Sequence, residues 1–279
     1  MQIADAVKSQ LRAFVIPVRQ RRIGNQIRRI ATDHPGAGLL VHWSPDWKTA
    51  LIDRYLGERP GVLVDVGANV GQTLLDYIAS PHGGGYLGFE PNPCCADGVT
   101  SFIRNNELED AALVPVGLSD RDEVAQLHMR RGTSGADSGA TLRQDLRPAR
   151  GTETIFVPCF RFDGIAAELL KGRPVSVIKI DVEGAELQTL RGMKNYLATE
   201  RPPVICEVLR RSAAADETAY AERSACLMGL LNSIGYRVSM IRKSADERAV
   251  IDLQEIDAFP LDPYSAETEA LNDYVFRPG

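Results

Sequence analysis

The chain has 279 residues, of which 44% are hydrophobic and 25% are charged, and its formal net charge at pH 7 is −5. This composition is ordinary for a globular protein, and the length suits one α/β domain with a short extension rather than two equal domains. No apolar run approaches the length of a membrane-spanning helix, and Lys8 and Arg12 interrupt the apolar region that a signal peptide would need.

The first thirty residues form a separate electrostatic unit, because they hold seven Lys or Arg residues and one acid. We predict two short helices here. Their apolar faces would be formed by Leu11, Phe14, Val15 and Val18, and, beyond Pro17, by Ile23, Ile27 and Ile30. Three roles stay open for this basic arm: packing on its own domain, contact with a second copy of the chain in a homo-oligomer, or weak contact with an anionic surface such as a membrane. The scarcity of aromatic residues argues against nucleic acid.

Residues 34–59 are predicted as a connector, because glycines and prolines interrupt any regular pattern. The segment contains both tryptophans, Trp43 and Trp47. Two interpretations stay open for them: ordinary packing against the main domain, or closure over a ligand. We therefore predict a helical arm and connector over residues 1–59 and the main domain over residues 60–279.

From residue 62 onward, short apolar runs alternate with helical segments, which is typical of a parallel sheet covered by helices. The predicted strands are 62–66, 86–89, 112–116, 175–180, 203–208, 236–241 and 272–277, and the predicted helices are 72–80, 95–105, 162–171, 184–197 and 221–234. Segments 124–130 and 155–160 are predicted to form an appended strand pair, and residues 131–142 a mobile loop. The fold class is doubly wound α/β with a mostly parallel, seven-stranded sheet.

Residues 63–71 join the first buried strand to a glycine-bearing turn and contain one acid, Asp65. Gly67 and Gly71 bracket the turn, where glycine can adopt positive φ and let a ligand approach the backbone. The start of the following helix offers free N–H groups to an anionic group. This combination predicts a site for a nucleotide-type cofactor.

Glu90 follows the second predicted strand, 19 residues after Gly71. In doubly wound folds, a carboxylate at about this spacing accepts hydrogen bonds from ribose hydroxyls. A nicotinamide dinucleotide is disfavoured, because its glycine pattern would need glycine at Asn69 and Gln72. Asp65 would repel a phosphate but could hold the ammonium of an amino acid. S-adenosylmethionine contains both an amino acid and a ribose.

Four segments in this order resemble the FkbM-type methyltransferases: residues 65–71, 89–93, 117–120 and 178–186. The resemblance extends over roughly residues 62–208, and the chain departs from the common Leu-Asp pattern at Phe162 and Asp163. It implies a class I, Rossmann-like methyltransferase fold whose last strand runs antiparallel, with S-adenosylmethionine as methyl donor. It also implies O-methylation of a sugar, a polyketide or another small or glycosylated metabolite. N-methylation and a non-catalytic cofactor-binding partner of a biosynthetic complex stay open.

The resemblance also implies cofactor contacts beyond the two acids. It assigns Asn69 to the glycine turn, Pro91 to the adenosine, and Gly117 and Leu118 to the edge of the adenine. Ser119, Asp120 and Asn106 match the family less specifically, and a helix cap explains Asn106 as well as a binding role does.

Three acids are predicted to meet at the carboxyl edge of the sheet, where open α/β folds bind ligands. Asp181 and Glu183 follow one predicted strand, and Glu207 ends another. Methyl transfer to a hydroxyl requires alignment of the acceptor and removal of a proton. We therefore predict Asp181 as general base or acceptor ligand, with Glu183 and Glu207 assisting. The same acids could instead bind Mg²⁺, whereas zinc is not expected because no histidine joins them.

The remaining titratable residues leave narrower alternatives. Lys179 could pair with an acid or point away, His128 could reach an acceptor or occupy an exposed strand position, and Glu186 is predicted as a first-turn acid of a helix. The five cysteines lack the C-x-x-C spacing of a zinc or redox site, and their odd number argues against a closed disulfide framework. We therefore predict a cytoplasmic location.

Overall fold

The computed structural model describes residues 17–144, 151–212, 215–265 and 268–279. Its first elements are two antiparallel strands, β1 (Val18–Ile23) and β2 (Gln26–Ala31). The helix predicted over residues 23–30 is therefore wrong, while residues 11–15 of the first predicted helix lie outside the described residues. Gly24 turns the chain at φ +57°, and Ile23 and Ile30 are buried whereas Ile27 is 59% exposed. A Gly-Asn pair between strand-forming residues was the signal for this hairpin.

The predicted connector contains two helices, α1 (Ala37–Val41) and α2 (Trp47–Glu58). Asp46 caps α2 by accepting the N–H groups of Lys48 and Thr49, and the Thr49 hydroxyl accepts the Asp46 N–H in return. This capping box was the overlooked signal. Trp47 is buried, and the Trp43 indole donates to Asp76 at 3.0 Å. Both tryptophans pack against the main domain, and neither lines the cleft described below.

The remaining strands, in chain order, form two sheets. They are β3 (Val62–Val66), β4 (Tyr86–Phe89), β5 (Ala111–Val114), β6 (Gly117–Leu118), β7 (Glu123–Arg130), β8 (Thr152–Phe160), β9 (Val175–Ile180), β10 (Val204–Glu207), β11 (Tyr236–Lys243), β12 (Val250–Ile256) and β13 (Asp273–Pro278). The main sheet has the order β12-β11-β13-β10-β9-β3-β4-β5 in the described residues. Strands β5, β4, β3, β9 and β10 are parallel, and β13 runs antiparallel between β10 and β11.

The antiparallel closing strand was predicted and is confirmed, but the sheet has eight strands in the described part of the chain, where seven were expected. The additional strand, β12, pairs with β11 at the edge of the sheet. Its side chains are exposed or half-buried, so it lacks the apolar run that marked the central strands.

Helices cover both faces of the main sheet, as a doubly wound fold requires. They are α3 (Gln72–Ala79), α4 (Pro93–Asn105), α5 (Phe162–Leu170), α6 (Glu186–Gly192), α7 (Lys194–Glu200) and α8 (Glu217–Ser233). The helix predicted over 184–197 is two helices that meet at Met193. Val62 and Val64 of β3 pack in one buried cluster with α5 to α8, whereas Leu63 packs in another with α2 to α4. Alternate side chains of one strand therefore fill two core layers.

The predicted appended pair is present as β7 and β8, which pair antiparallel along their length. The short strand β6 adds to the other edge of β8, so this small sheet has three strands in the order β6-β8-β7. Its position brings the loop of residues 131–142 close to the carboxyl edge of the main sheet, where Thr141 pairs with His128.

Candidate functional site

A cleft of about 610 Å³ opens at the carboxyl ends of β3, β4 and β9. Eight of the eleven residues predicted for the site line it: Gly67, Asn69, Glu90, Pro91, Gly117, Leu118, Asp181 and Glu183. The other three, Asp65, Gly71 and Glu207, lie outside the lining. The loop of residues 131–142 contributes Asp137, Ser138, Ala140 and Leu142, none of which was predicted. A single cleft thus gathers side chains from three parallel strands and the appended sheet.

The turn after β3 is held tightly against the end of β9. Gly67 has φ +81°, and a Cβ built on it would lie 1.8 Å from the carbonyl oxygen of Asp181. The Asp181 N–H also donates to Val66 O at 2.9 Å. Only glycine fits this contact, for reasons of both space and φ. Gly71, at φ +104°, instead begins α3 and approaches Val99, away from the cleft.

Glu90 ties the turns after β3 and β4 together. Its carboxylate accepts the N–H of Asn69 and the N–H of Asn92, both at 2.7 Å. Burial raises the pKa of Glu90 to about 7, although the two N–H bonds oppose that shift. Each carboxylate oxygen can accept a second hydrogen bond. The side chain therefore faces the cleft with acceptor capacity suited to a pair of hydroxyls.

Asp65 lies beneath the turn and is fully buried. Its Oδ2 accepts the Tyr86 hydroxyl at 2.6 Å, and its Oδ1 lies 3.6 Å from Lys179 Nζ. Burial raises its pKa, while the Lys179 charge and the Tyr86 hydrogen bond oppose that effect. Because the carboxylate is engaged inside the protein, its role as an anchor for an ammonium group stays a prediction.

Lys179 points towards the acids, which decides between the two orientations left open by the sequence. Its Nζ lies 3.2 Å from Asp181 Oδ2 and 3.4 Å from Gly67 O. Burial opposes the charge of Lys179, but Asp181 and Asp65 outweigh it and raise the pKa of the ammonium. The lysine is therefore a fixed cation behind the cleft.

Asp181 and Glu207 form a hydrogen-bonded pair with opposite pKa shifts. Burial opposes ionisation of Asp181, but Lys179 overcomes it and lowers the pKa of this carboxyl. Burial, followed by the charges of Asp181 and Asp273, raises the pKa of Glu207. These opposite shifts favour a proton on Glu207, which donates to Asp181, over a proton on Asp181 itself. The Asp181 side chain is 35% exposed, so it is accessible from the cleft.

The segment after Asp181 is shaped by three contacts. Glu183 adopts φ +49°, and its carbonyl oxygen accepts the Thr141 hydroxyl at 2.6 Å. Glu186 begins α6 as predicted, accepts the Gly184 N–H at 2.9 Å and forms a buried ion pair with Arg223. These contacts hold residues 183–186 in place, and Glu183 of this segment lines the cleft.

The loop of residues 131–142 lies over the cleft. Arg130 donates to Asp137 from its backbone N–H at 2.7 Å and from Nη2 at 2.6 Å, and these bonds lower the pKa of Asp137 against the effect of burial. Asn92 Nδ2 donates to Gly135 O at 2.8 Å. His128 is 6% exposed and lies 3.1 Å from Thr154 Oγ1, so it occupies neither an exposed position nor the cleft.

Asn106 ends α4 and lies outside the cleft. Its side chain accepts the Arg29 N–H at 2.7 Å and donates to the Arg29 carbonyl oxygen at 2.9 Å. This residue therefore docks the N-terminal hairpin on α4, in addition to ending the helix.

The predicted Mg²⁺ site finds no support, because within the described ranges no three His, Cys, Asp or Glu residues are placed to hold a metal ion. All five cysteines are free thiols. Burial raises the pKa of Cys159 to about 11 and that of Cys206 well above its usual range, so both are inert core residues. None of the described helices is long and apolar enough to cross a membrane.

A doubly wound sheet, a glycine turn after β3 and a buried acid after β4 define a Rossmann-like fold of the class that binds nucleotide-type cofactors. Residues 65–238 match the family described as the methyltransferase FkbM domain. This match covers more than half of the chain, which therefore belongs to the FkbM methyltransferase family. The resemblance found in the four sequence segments is confirmed. No curated protein matches the chain.

Two solved structures illustrate what the chain is similar to. An FkbM methyltransferase from Methylobacillus flagellatus has 15% sequence identity and a TM-score of 0.46, with 88% of this chain and 51% of that chain covered. An O-methyltransferase from Bacillus cereus, in complex with SAH, has 11% identity and a TM-score of 0.44, covering 97% and 96%. The chain thus spans about half the length of the Methylobacillus protein.

Proposed function

We propose that this chain is an S-adenosylmethionine-dependent O-methyltransferase acting on a hydroxyl of a sugar, polyketide or other small metabolite. The observation that carries the proposal is the Asp181 carboxyl group, which faces the same cleft as Glu90 and the Gly67 turn and has Lys179 Nζ 3.2 Å from its Oδ2. A hydroxyl acceptor needs a hydrogen-bond acceptor beside the methyl donor, and Asp181 supplies one.

The residues present fit S-adenosylmethionine, which supplies an electrophilic methyl group on a sulfonium. Glu90 would accept the ribose hydroxyls, and Gly67 leaves the backbone approachable where a larger residue would collide with Asp181 O. Pro91, Gly117 and Leu118 would pack beside the adenosine. Asp65 and Lys179 would support this surface from behind.

In the proposed reaction, Asp181 accepts a hydrogen bond from the acceptor hydroxyl and orients its oxygen. With S-adenosylmethionine bound, its methyl group would be available to the acceptor oxygen, and Asp181 would take up the proton that the hydroxyl loses. Lys179 keeps Asp181 ionised and makes it a weak base, so positioning contributes more than proton abstraction. Glu207 holds Asp181 through its own proton, and Glu183 lines the wall beside it.

The proposal includes further features that rest on the sequence. A cytoplasmic location suits five free cysteines. The domain boundary near residue 60 is part of the proposal. The basic arm, whose Ile23 and Ile30 pack in the core, would offer its exposed side to a second copy or an anionic surface rather than to nucleic acid.

Two measurements test the proposal. Calorimetric titration with S-adenosylhomocysteine should show binding, whereas NAD should give none, and absence of S-adenosylhomocysteine binding would contradict the proposal. Incubation with methyl-labelled S-adenosylmethionine and small-molecule extracts should then give O-methylated products by mass spectrometry. Binding without any labelled product would instead favour a non-catalytic partner, and label on nitrogen would favour an N-methyltransferase.

A further inference from the structure

A second pocket of about 810 Å³ adjoins the cleft on the side of α8. The two cavities are lined by consecutive residues at two places. Leu142 lines the cleft and Arg143 the second pocket, and Glu183 and Gly184 are divided in the same way. A molecule whose reacting hydroxyl lies at Asp181 could therefore extend into this pocket.

Four arginines line this cavity, which we call the arginine pocket. They are Arg143, Arg210, Arg211 and Arg223, and the one acid among its described lining residues is Asp216. The Asp216 carboxylate is engaged in capping α8, where it accepts two backbone N–H groups. The lining therefore carries an excess of positive charge beside the proposed methyl-transfer site.

Part of this charge is already paired inside the protein. Arg211 donates to Glu217 at 2.7 Å, and Arg223 pairs with Glu186 and donates to Gly184 O at 2.5 Å. These two arginines have a structural role that explains their presence without any ligand. To bind a ligand, the pocket needs hydrogen-bond donors that are not already used by contacts inside the protein.

Arg210 supplies such donors. The residue is 8% exposed, and its Nε and Nη1 have no hydrogen-bond partner among the described residues. Its nearest acid is Asp262, whose side chain is 78% exposed and lies 3.7 Å from Nη1, beyond hydrogen-bond distance. The buried Nε of Arg223 is also without a hydrogen-bond partner. Buried donors without acceptors are unfavourable, and a bound anion would satisfy them.

We infer that the arginine pocket binds an anionic group of the methyl acceptor, so that the acceptor is a phosphorylated or carboxylated small molecule. This inference rests on the proposed methyltransferase function. A guanidinium presents paired N–H donors that match the oxygens of a phosphate or of a carboxylate equally well. The chemistry common to both ligands is an oxyanion that accepts two parallel hydrogen bonds. The anion fixes one end of the acceptor while Asp181 receives its hydroxyl.

The test is calorimetric titration of the full chain with pyrophosphate and, separately, with citrate, each with and without S-adenosylhomocysteine. At least one anion should bind saturably, and the tighter of the two identifies the phosphate or carboxylate alternative. Arg210→Gln should weaken that binding by at least about tenfold, because a charge-assisted hydrogen bond is lost. Arg54→Gln, an exposed arginine of α2 outside the pocket, should leave it unchanged.

Arg210→Lys provides a second variant if Arg210→Gln does not fold, since it keeps the charge but loses the fork and should weaken binding less. No saturable binding of either anion, or equal affinity in the wild type and the Arg210 variants, would overturn the inference. Bound S-adenosylhomocysteine without anion binding would remove this inference and leave the methyltransferase proposal intact. Anion binding without any binding of S-adenosylhomocysteine would contradict the methyltransferase proposal and retain the anion site.

Discussion

The Lys179 ammonium lies 3.2 Å from Asp181 Oδ2 and is held there by the geometry of one strand. Residues two apart along a strand point to the same side, so the lysine inside β9 meets the acid just past its end. The same ammonium lies 3.6 Å from Asp65 on the neighbouring strand. The buried Lys179 ammonium therefore lies close both to Asp65, beneath the glycine turn, and to Asp181, which faces the cleft.

Replacing Lys179 with Met should destabilise the protein by roughly 3–5 kcal/mol at pH 7, because Asp65 and Asp181 lose their shared cation. Without Lys179 the folded-state pKa of Asp181 should rise above its unfolded value, and that of Asp65, which burial already raises, should rise further. A carboxyl group whose folded-state pKa is raised makes the fold less stable as pH rises. The loss of stability caused by Lys179→Met should therefore be smaller at pH 5 than at pH 7. Urea unfolding at both pH values measures it. Lys194→Met, an exposed site, is the control, and an equal deficit at both pH values would contradict the electrostatic explanation.

Asp181→Asn and Glu207→Gln should have unequal effects on methyl transfer. Asp181 is ionised and faces the cleft, so its replacement should lower the yield of labelled product by at least about 100-fold. Glu207 is protonated, and the neutral amide replaces it with a change of less than about tenfold. Both variants should bind S-adenosylhomocysteine as the wild type does. Unchanged product formation in both would refute the catalytic assignment, and Asp252→Asn, an exposed strand acid, controls for general effects.

Gly67→Ala should destabilise the protein by more than about 4 kcal/mol, since the new Cβ would meet Asp181 O at 1.8 Å in addition to adopting φ +81°. Gly132 offers a matched control, because it has φ +84° and no atom within 4 Å of its built Cβ. Gly132→Ala should destabilise the protein only by the cost of placing a non-glycine residue at positive φ, about 1–2 kcal/mol. Thermal or denaturant unfolding compares the two, and similar losses would show that the contact with Asp181 O is unimportant.

Glu90 should make folding stability fall with rising pH between about 4.3 and 7. Its pKa is about 7 in the folded protein, so within this window the folded state holds a proton that the unfolded chain has released. Glu90→Gln removes this dependence. The free energy of unfolding of the variant relative to wild type should therefore increase by on the order of 3 kcal/mol from pH 4.3 to 7.

Urea titrations across that range measure the Glu90 effect, and the comparison of variant with wild type cancels the other buried carboxyls. Glu109→Gln, at an exposed position, should give a difference that does not change with pH. A flat profile for Glu90→Gln would show that Glu90 is ionised throughout.

Most of the central sheet could be predicted because its strands are short, fully buried and continuous in apolar residues. Strands β3, β4 and β9 have the predicted bounds. The hairpin of β1 and β2 and the edge strand β12 were missed for the opposite reason: their exposed, charged side chains hide the strand pattern. The arm's isoleucines fit a helical spacing as well, whereas the structure forms a hairpin in which Ile23 and Ile30 pack against the core.

The site was predictable where it depends on the backbone turns that follow parallel strands. Gly67, Glu90 and Asp181 each come directly after such a strand, and parallel strands end at one edge. The loop that contributes Asp137 and Leu142 was not predictable in its contacts, because its position depends on pairing of β7 with β8 and on the hydrogen bond from Thr141 to Glu183 O.

The sequence by itself determined the family, the doubly wound sheet and the acids at its carboxyl edge, because those features depend on local order along the chain. Only the tertiary structure decided the direction of Lys179, the unequal protonation of Asp181 and Glu207, and the meeting of Arg143 with Arg210 and Arg223 in one pocket. Charges separated by many residues interact through distance and burial, and neither quantity is set until the strands and helices have packed.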